Sequence, residues 1–195
     1  FDIPENAEVG GVASHTENYY SMDYSNIHFV MLDSQASDRS VEGKMLNWLK
    51  RDLAANKKPW LIAAFHHPAY SKGHFDTDDD NHADGRSKDM REQVLPILEA
   101  AGVDLVLSSY SHSYQRSFLI DCAYQQPDSF SAKNIVSNGI SGENKQYIKS
   151  IRTKSHQGTV YVVVGSSSTV DKKEINHPVN HIALLEAGSM LITIN

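Results

Sequence analysis

Two short apolar runs in this sequence each empty into histidine, and that pairing constrains the fold more than any other feature of the chain. Trp60 to Phe65 is followed by His66-His67-Pro68, and Leu105 to Leu107 runs on through a polar turn to His112, Tyr114 and Arg116. Unbroken apolar runs of this length are the pattern of buried strands. Helical patterns precede both runs: Val41 to Ala55 places Leu46, Leu49 and Leu53 on one face, and Ser87 to Ala101 does the same with Met90, Val94, Ile97 and Leu98. Strand, helix and strand in that order make a parallel βαβ unit, here used twice. Open α/β sheets hold their ligands outside the carboxyl ends of the strands, which is where both histidines fall.

The remaining segments fill in a mixed sheet with helices on one face. Strands are expected near residues 27–33, 60–65, 104–108, 159–164 and 190–194, with a weaker one at Tyr19–Tyr24 joined to the first by a hairpin turn. Asn56-Lys-Lys-Pro59 stops the first helix, Gly102 ends the second, and Pro96 should kink it. Phe118 to Asp121 is a further short strand, while residues 122–157 and 166–181 read as surface loops. His28 lies inside a strand and is read as a core or face residue. Pro68 to Arg86 is a long loop that carries His74 and six of the chain's acidic and histidine side chains around it, and loops of this length are often functional. Its Asp76, Asp78, Asp80 spacing lacks the glycine and distal glutamate of a calcium loop.

Composition narrows the function. The 195 residues are 40% hydrophobic and 22% charged, as in a globular domain, and are read as a single domain, 1–195. The net charge of −6, without a basic cluster, argues against nucleic acid and anionic membrane as partners. Cys122 stands alone, so there is no internal disulfide framework. No apolar run approaches the roughly 18–20 residues of a membrane span. Phosphate-binding glycine loops, a Gly-x-Ser-x-Gly elbow and a Cys/His dyad are all absent.

Neutral imidazole is a common ligand for zinc and iron, so His66 and His112 are the candidate metal ligands. His67 and His74 are the candidates to supply a proton or hold an anionic oxygen. Carboxylates able to bridge two metals are not apparent. Asp33 comes nearest, and its neighbours give no supporting motif.

These residues resemble a known family. Phe65-His-His-Pro-Ala-Tyr-Ser71 resembles a conserved block of the calcineurin-like metallophosphoesterases, in their purple-acid-phosphatase-like branch. Leu107-Ser-Ser-Tyr-Ser-His-Ser-Tyr-Gln-Arg116 is similar to that branch's Gly-His-x-His-x-Tyr-Glu-Arg block. Tyr20 to Val30, Asp89-Met-Arg91, Leu95-Pro-Ile-Leu-Glu99 and Gly158 to Ser166 follow in the order the family has them. The resemblance implies half, the carboxyl-terminal half, of a four-layer α/β/β/α sandwich. It also implies a di-metal centre of iron, zinc or manganese, phosphate-ester substrates and an extracytoplasmic or secreted location. It makes His66 a ligand of one metal and His112 of the other, and sets His74 near the substrate phosphate. The family's Asp-x-His, Gly-Asp and Gly-Asn-His blocks are not found in this sequence, so its amino-terminal half is an expected partner and the di-metal centre is expected to be incomplete. Two positions depart from the pattern. The family's Gly-His pair falls on Ser109-Tyr110, which puts a phenol, a possible ligand for ferric iron, where an imidazole is expected. The family's Glu becomes Gln115.

Three readings follow. The chain is part of a metal-dependent phosphoesterase, inactive in isolation; or it is a non-catalytic scaffold of the same fold; or it is a simple metal-binding module built on the loop histidines.

Overall fold

A computed structural model describes residues 2–137 and 155–194. Its centre is a seven-stranded mixed sheet in the order β1-β2-β3-β4-β8-β5-β9. Four strands, β2 (Ile27–Met31), β3 (Trp60–Ala64), β4 (Leu105–Ser108) and β8 (Val160–Val164), are parallel neighbours. β1 (Tyr20–Tyr24) adds antiparallel at one edge, and β5 (Tyr114–Ser117) and β9 (Asn180–Leu184) at the other. β6 (Leu119–Ile120) and β7 (Ile135–Ser137) form a separate small ribbon. The expected segment 138–154 of the long polar loop lies outside the described residues.

Helix α1 (Lys44–Ala55) turns Met45, Leu46, Trp48 and Leu49 onto the sheet residues Val30, Leu61, Ala63 and Val106. A second helical stretch covers the same face with Met90, Val94, Leu95 and Leu98. Each such side chain contributes on the order of 1.5–3 kcal/mol by leaving water. This stretch comprises α2 (Arg86–Asp89), a π-turn (Met90–Val94) and α3 (Leu95–Ala100). Pro96 was expected to kink it. The π-turn ends just before Pro96, which has no N–H to bond back, and the wider turn absorbs the misfit without breaking the helix. Gly102, at φ 80°, closes it: Val103 N–H bonds the Leu98 carbonyl at 3.0 Å and Gly102 N–H that of Glu99 at 3.0 Å.

The expected strand at 190–194 is not one. The strand at that end of the chain is β9, which begins within the last two residues of the segment 166–181 read as loop and runs on to Leu184. Met190 instead lies against the second face of the sheet while Leu191 is 91% exposed. That second face is thinly covered. Leu119, Val160 and Val162 are buried in it, so Val162 is not exposed as a half-sandwich would have it. Val164 is half-buried and lines an open cleft of ≈ 680 Å³ with Met31, Leu107, Met190 and Ile192.

One buried carboxylate fastens the first βαβ unit. Asp52 on α1 is fully buried and accepts the Ser21 hydroxyl at 2.7 Å, the Val12 N–H at 2.8 Å and His28 Nε2 at 2.8 Å. His28 Nδ1 meets Asp23 at 2.7 Å. His28 is thus a core residue, as its strand position suggested. Burial works against its charge, but the Asp52 and Asp23 hydrogen bonds prevail and raise its pKa. Gly11, at φ 78°, passes so close that a Cβ there would sit 1.9 Å from the Ser21 hydroxyl.

Asp52→Ala removes one partner of a buried charged pair and should cost about 3–5 kcal/mol in urea unfolding. Because the folded pKa of His28 is raised, its contribution is full below the ordinary value of about 6.5 and is lost as pH rises through the higher folded value. The stability gap between the native protein and His28→Gln should therefore narrow from pH 6 upward; a gap that widens would contradict the network. Gly165, which ends β8, lies under the loop that carries Tyr110 and His112. A Cβ there would meet the carbonyl oxygens of Ser111 at 2.0 Å and Ser109 at 2.2 Å. Gly165→Ala should cost roughly 1–3 kcal/mol by overpacking. Gly188→Ala, with nothing within 4 Å, should be close to neutral in the same thermal melts.

Candidate functional site

The carboxyl edge of the parallel strands gathers the candidate residues. β3 and β4 pair in register from Ile62 with Leu105 to Ala64 with Leu107, and the pairing runs on past both strands. Phe65 N–H bonds the Leu107 carbonyl at 3.0 Å, and the Ser109 and Tyr110 N–H groups both reach the His66 carbonyl, at 3.2 and 3.0 Å. The two histidine-bearing turns are therefore one backbone-linked unit.

His66 is exposed, with Nδ1 3.1 Å from the Ser109 hydroxyl. Its pKa is lowered, by desolvation first and then by the nearby His112, so the two rings share one electrostatic neighbourhood. The Tyr110 ring lies 5.2 Å from His66, 4.5 Å from His67 and 4.3 Å from Phe75. Phe75 in turn lies 5.8 Å from His112 and 4.8 Å from His74. An aromatic row thus links the four histidines, with Tyr110 in its middle.

His67, expected to supply a proton or hold an anionic oxygen, sits just inside the surface. The ring is buried under Tyr110, and the Ser34 hydroxyl accepts the His67 backbone N–H at 3.0 Å while lying 2.8 Å from Nδ1. The one hydroxyl thus ties the His67 backbone and ring together, and holds the ring in place. Desolvation, then the positive neighbours His66, Arg86 and Arg39, push its pKa down to about 4. At neutral pH this ring has no extra proton to donate.

Asp33, the nearest carboxylate in the sequence, is already spent. It accepts the N–H groups of Gln35, Ala36 and Ser37 and the Ser37 hydroxyl; these outweigh its burial and lower its pKa. Sequence reading missed a better one. Asp171 N–H bonds the His112 carbonyl at 2.8 Å, and one carboxylate oxygen lies 3.9 Å from His112 Nδ1. Its side chain is 6% exposed and the other oxygen, Oδ2, has no hydrogen-bond partner among the described residues. The same segment brings Lys172 and Lys173 to a cavity of ≈ 440 Å³ shared with His74, Phe75 and His112. Only the chain fold brings this segment to His112.

The long loop from Pro68 is pinned from below. Asp78 takes Lys72 at 2.6 Å and His177 at 3.2 Å, and Thr77 N–H returns to the Ser71 carbonyl at 3.0 Å. Gln115, where the family pattern has Glu, is buried. Its amide donates to Ser71 and Ser113, both at 2.8 Å, and its oxygen accepts from Asn180 at 2.8 Å. A neutral amide satisfies donors and acceptors there that a carboxylate would leave unmatched.

The fit to a pair of metal ions is partial. The unpartnered oxygen of Asp171 beside His112 suits a cation. Yet among the described residues His66, His112 and Tyr110 belong to no cluster of three or more histidine, cysteine or acidic ligands. The described residues do not by themselves make a di-metal centre.

No protein-family model matches the chain. Curated relatives do. Purple acid phosphatase 18 of Arabidopsis thaliana is 30% identical over 117 residues, which are 58% of this chain and 25% of the relative. Purple acid phosphatase 15 of the same plant is 36% identical over 105 residues, 51% of this chain and 18% of the relative. The chain thus spans about a quarter or less of the length of these relatives. Among solved structures, purple acid phosphatase PPD1 from yellow lupin (Lupinus luteus) seeds superposes with a TM-score of 0.65 at 20% identity, covering 88% of this chain and 27% of that one. No helix among the described residues is long and apolar enough to cross a membrane. The chain is thus similar to purple acid phosphatases in sequence over about half its length, and shares its fold with one of them over most of it.

Proposed function

We propose that this chain carries the histidine-bearing side of a metal-dependent phosphoester-hydrolysing site, the carboxyl-terminal half of the catalytic domain. In this reading His66 and His112 are metal ligands, and Asp171 is a further anionic donor beside His112. His74, Lys172 and Lys173 receive the phosphate group of an ester substrate in the cavity they share. The observation that carries the reading is that cavity: two imidazoles, two ammonium groups and a buried carboxylate with an unpartnered oxygen meet at the ligand-binding edge of the sheet. Metal ions, when bound, would polarise the phosphoryl group and activate water. This chain's residues orient the substrate: Lys172 and Lys173 as charge partners, and His74 as a hydrogen-bonding wall. His67, neutral and fixed by Ser34, supports the His66 turn. The remaining anionic ligands would come from polypeptide outside the described residues. An extracytoplasmic or secreted setting goes with the same family reading.

A second reading is favoured by Tyr110. Its ring fills the row between His66 and Phe75, where the family pattern expects an imidazole, so the edge serves as a scaffold without turnover.

Phosphate binding and turnover together separate the two. With zinc present, inorganic phosphate should bind the purified chain, and Lys172→Ala with Lys173→Ala should weaken it roughly tenfold or more, as loss of charge-assisted contacts does. The chain alone should show little hydrolysis of p-nitrophenyl phosphate. Phosphate binding indifferent both to the lysine pair and to His112→Ala would sink the site. Strong turnover abolished by His112→Ala would instead show that the chain makes the whole centre.

A further inference from the structure

The opposite edge of the sheet, where β4 and β8 begin, holds a second cluster of ligand-type side chains that the phosphoesterase reading does not use. Glu99 sits near the end of α3, Asp121 and Cys122 follow β6, and His156 precedes β8. One ligand atom from each lies within 4.8 Å of every other. The sequence separates them widely, and the fold brings them together: His156 N–H bonds the Glu99 carbonyl at 3.0 Å and Cys122 N–H bonds a Glu99 carboxylate oxygen at 2.9 Å.

The geometry points to a zinc site formed by Cys122 Sγ, His156 Nδ1, Asp121 and Glu99, separate from the His66 and His112 edge. The spacing between the ligand atoms is the first argument. Zinc–sulfur and zinc–nitrogen bonds of their usual lengths, at tetrahedral angles, put neighbouring ligand atoms about 3.3–3.6 Å apart. Cys122 Sγ lies 3.6 Å from His156 Nδ1 and 3.4 Å from an Asp121 oxygen, and His156 Nδ1 lies 3.0 Å from Asp121 Oδ1. The sulfur–nitrogen edge of a tetrahedron is therefore in place, and the Asp121 carboxylate faces both ligands, with Oδ2 toward the sulfur and Oδ1 toward the ring nitrogen.

Donor chemistry is the second argument. One thiol, one imidazole and two carboxylates are a borderline-soft, anionic set that suits zinc better than magnesium or calcium, which take oxygen alone. The supporting shell is built as well. Glu99 is buried, and its carboxylate is held by the hydroxyls of Tyr124 and of buried Tyr161, in addition to the Cys122 N–H. Such outer contacts fix ligand orientation before a metal arrives. The side chains of His156 and Asp121 are 43% and 19% exposed and Cys122 is at the surface, which leaves the ion a way in.

A nucleophilic cysteine is the competing use of the same residues, and the arrangement is wrong for it. Asp121 and Cys122 both address the same ring nitrogen of His156, whereas a relay needs the two nitrogens to face different partners. Desolvation and then Asp121 also push the Cys122 thiol up, away from a reactive thiolate. A cation reverses that balance, because the thiol proton leaves to solvent as the metal enters.

The test uses tag-free chain, kept reduced, with zinc and then cobalt(II) as the probes. Calorimetry should find zinc binding that persists in a His66→Ala/His112→Ala background. Cys122→Ser and His156→Ala should each weaken it by at least the roughly 10–100-fold that loss of an outer-shell partner alone produces. Cobalt(II) should give a thiolate-to-cobalt charge-transfer band that Cys122→Ser abolishes while His66→Ala/His112→Ala leaves it intact. Circular dichroism of each variant checks that the fold survives. Zinc affinity unchanged in Cys122→Ser, or cobalt bound with no thiolate band in the folded native chain, would overturn the assignment.

Discussion

Parallel pairing of β3 with β4 decides where every candidate residue at the carboxyl edge ends up. The register from Ile62–Leu105 to Ala64–Leu107 continues through the Phe65, Ser109 and Tyr110 N–H bonds, so His66 and the loop to His112 are set side by side by backbone geometry. A one-residue slip would turn the apolar residues of β4 to the wrong face. Burial of Leu61, Ala63 and Val106 under the helices forbids that slip, and the hydrophobic effect thereby fixes the site's first dimension. Gly165 fixes the second, because only a residue without a side chain lets β8 end so close beneath the Ser109–Ser111 carbonyls.

Much of this was legible in the sequence because it is local. The βαβ units came from periodicity and breakers, and β2, β3, β4, β8 and α1 lie within a few residues of where the pattern puts them. His28 was legible as a core residue from its place in a strand. The failures are all long-range. Met190 to Ile194 has a strand's composition, but nothing in the sequence says that the outermost strand beside β5 is Asn180–Leu184 and that Met190 packs on the sheet's second face instead. Asp171, Lys172 and Lys173 read as a solvated run because their value depends on a loop folding back over His112. Glu99, Cys122 and His156 are far apart in sequence and gain meaning only from the close of α3 and the start of β8. The surroundings of His67 were equally beyond local pattern: its residue type and neighbours suggest proton transfer, while the burial beneath Tyr110 that lowers its pKa to about 4 comes only from the fold.

The two edges of the sheet differ in the sign of the charge they present, and this difference orders the proposals. At the carboxyl edge, positive groups crowd together: Lys172 and Lys173 line the cavity with His74 and His112, and Arg86 and Arg39 act on His67. Desolvation first, and then these positive neighbours, lower the pKa values of His66 and His67. Such a surface attracts phosphate readily. It repels metal cations until anionic ligands offset it, and Asp171 alone supplies little of that charge. The amino edge is the reverse: two carboxylates and a thiol surround one imidazole, and burial first of all penalises the ionised forms of Glu99 and Cys122, while the hydrogen bonds around Asp121 favour its carboxylate. A divalent ion relieves that penalty at once. A metal offered to this chain should therefore settle first among Glu99, Asp121, Cys122 and His156. Under the proposed function, occupancy of the histidine edge then depends on further carboxylates reaching it, because the described residues there supply too little negative charge to hold two cations on their own.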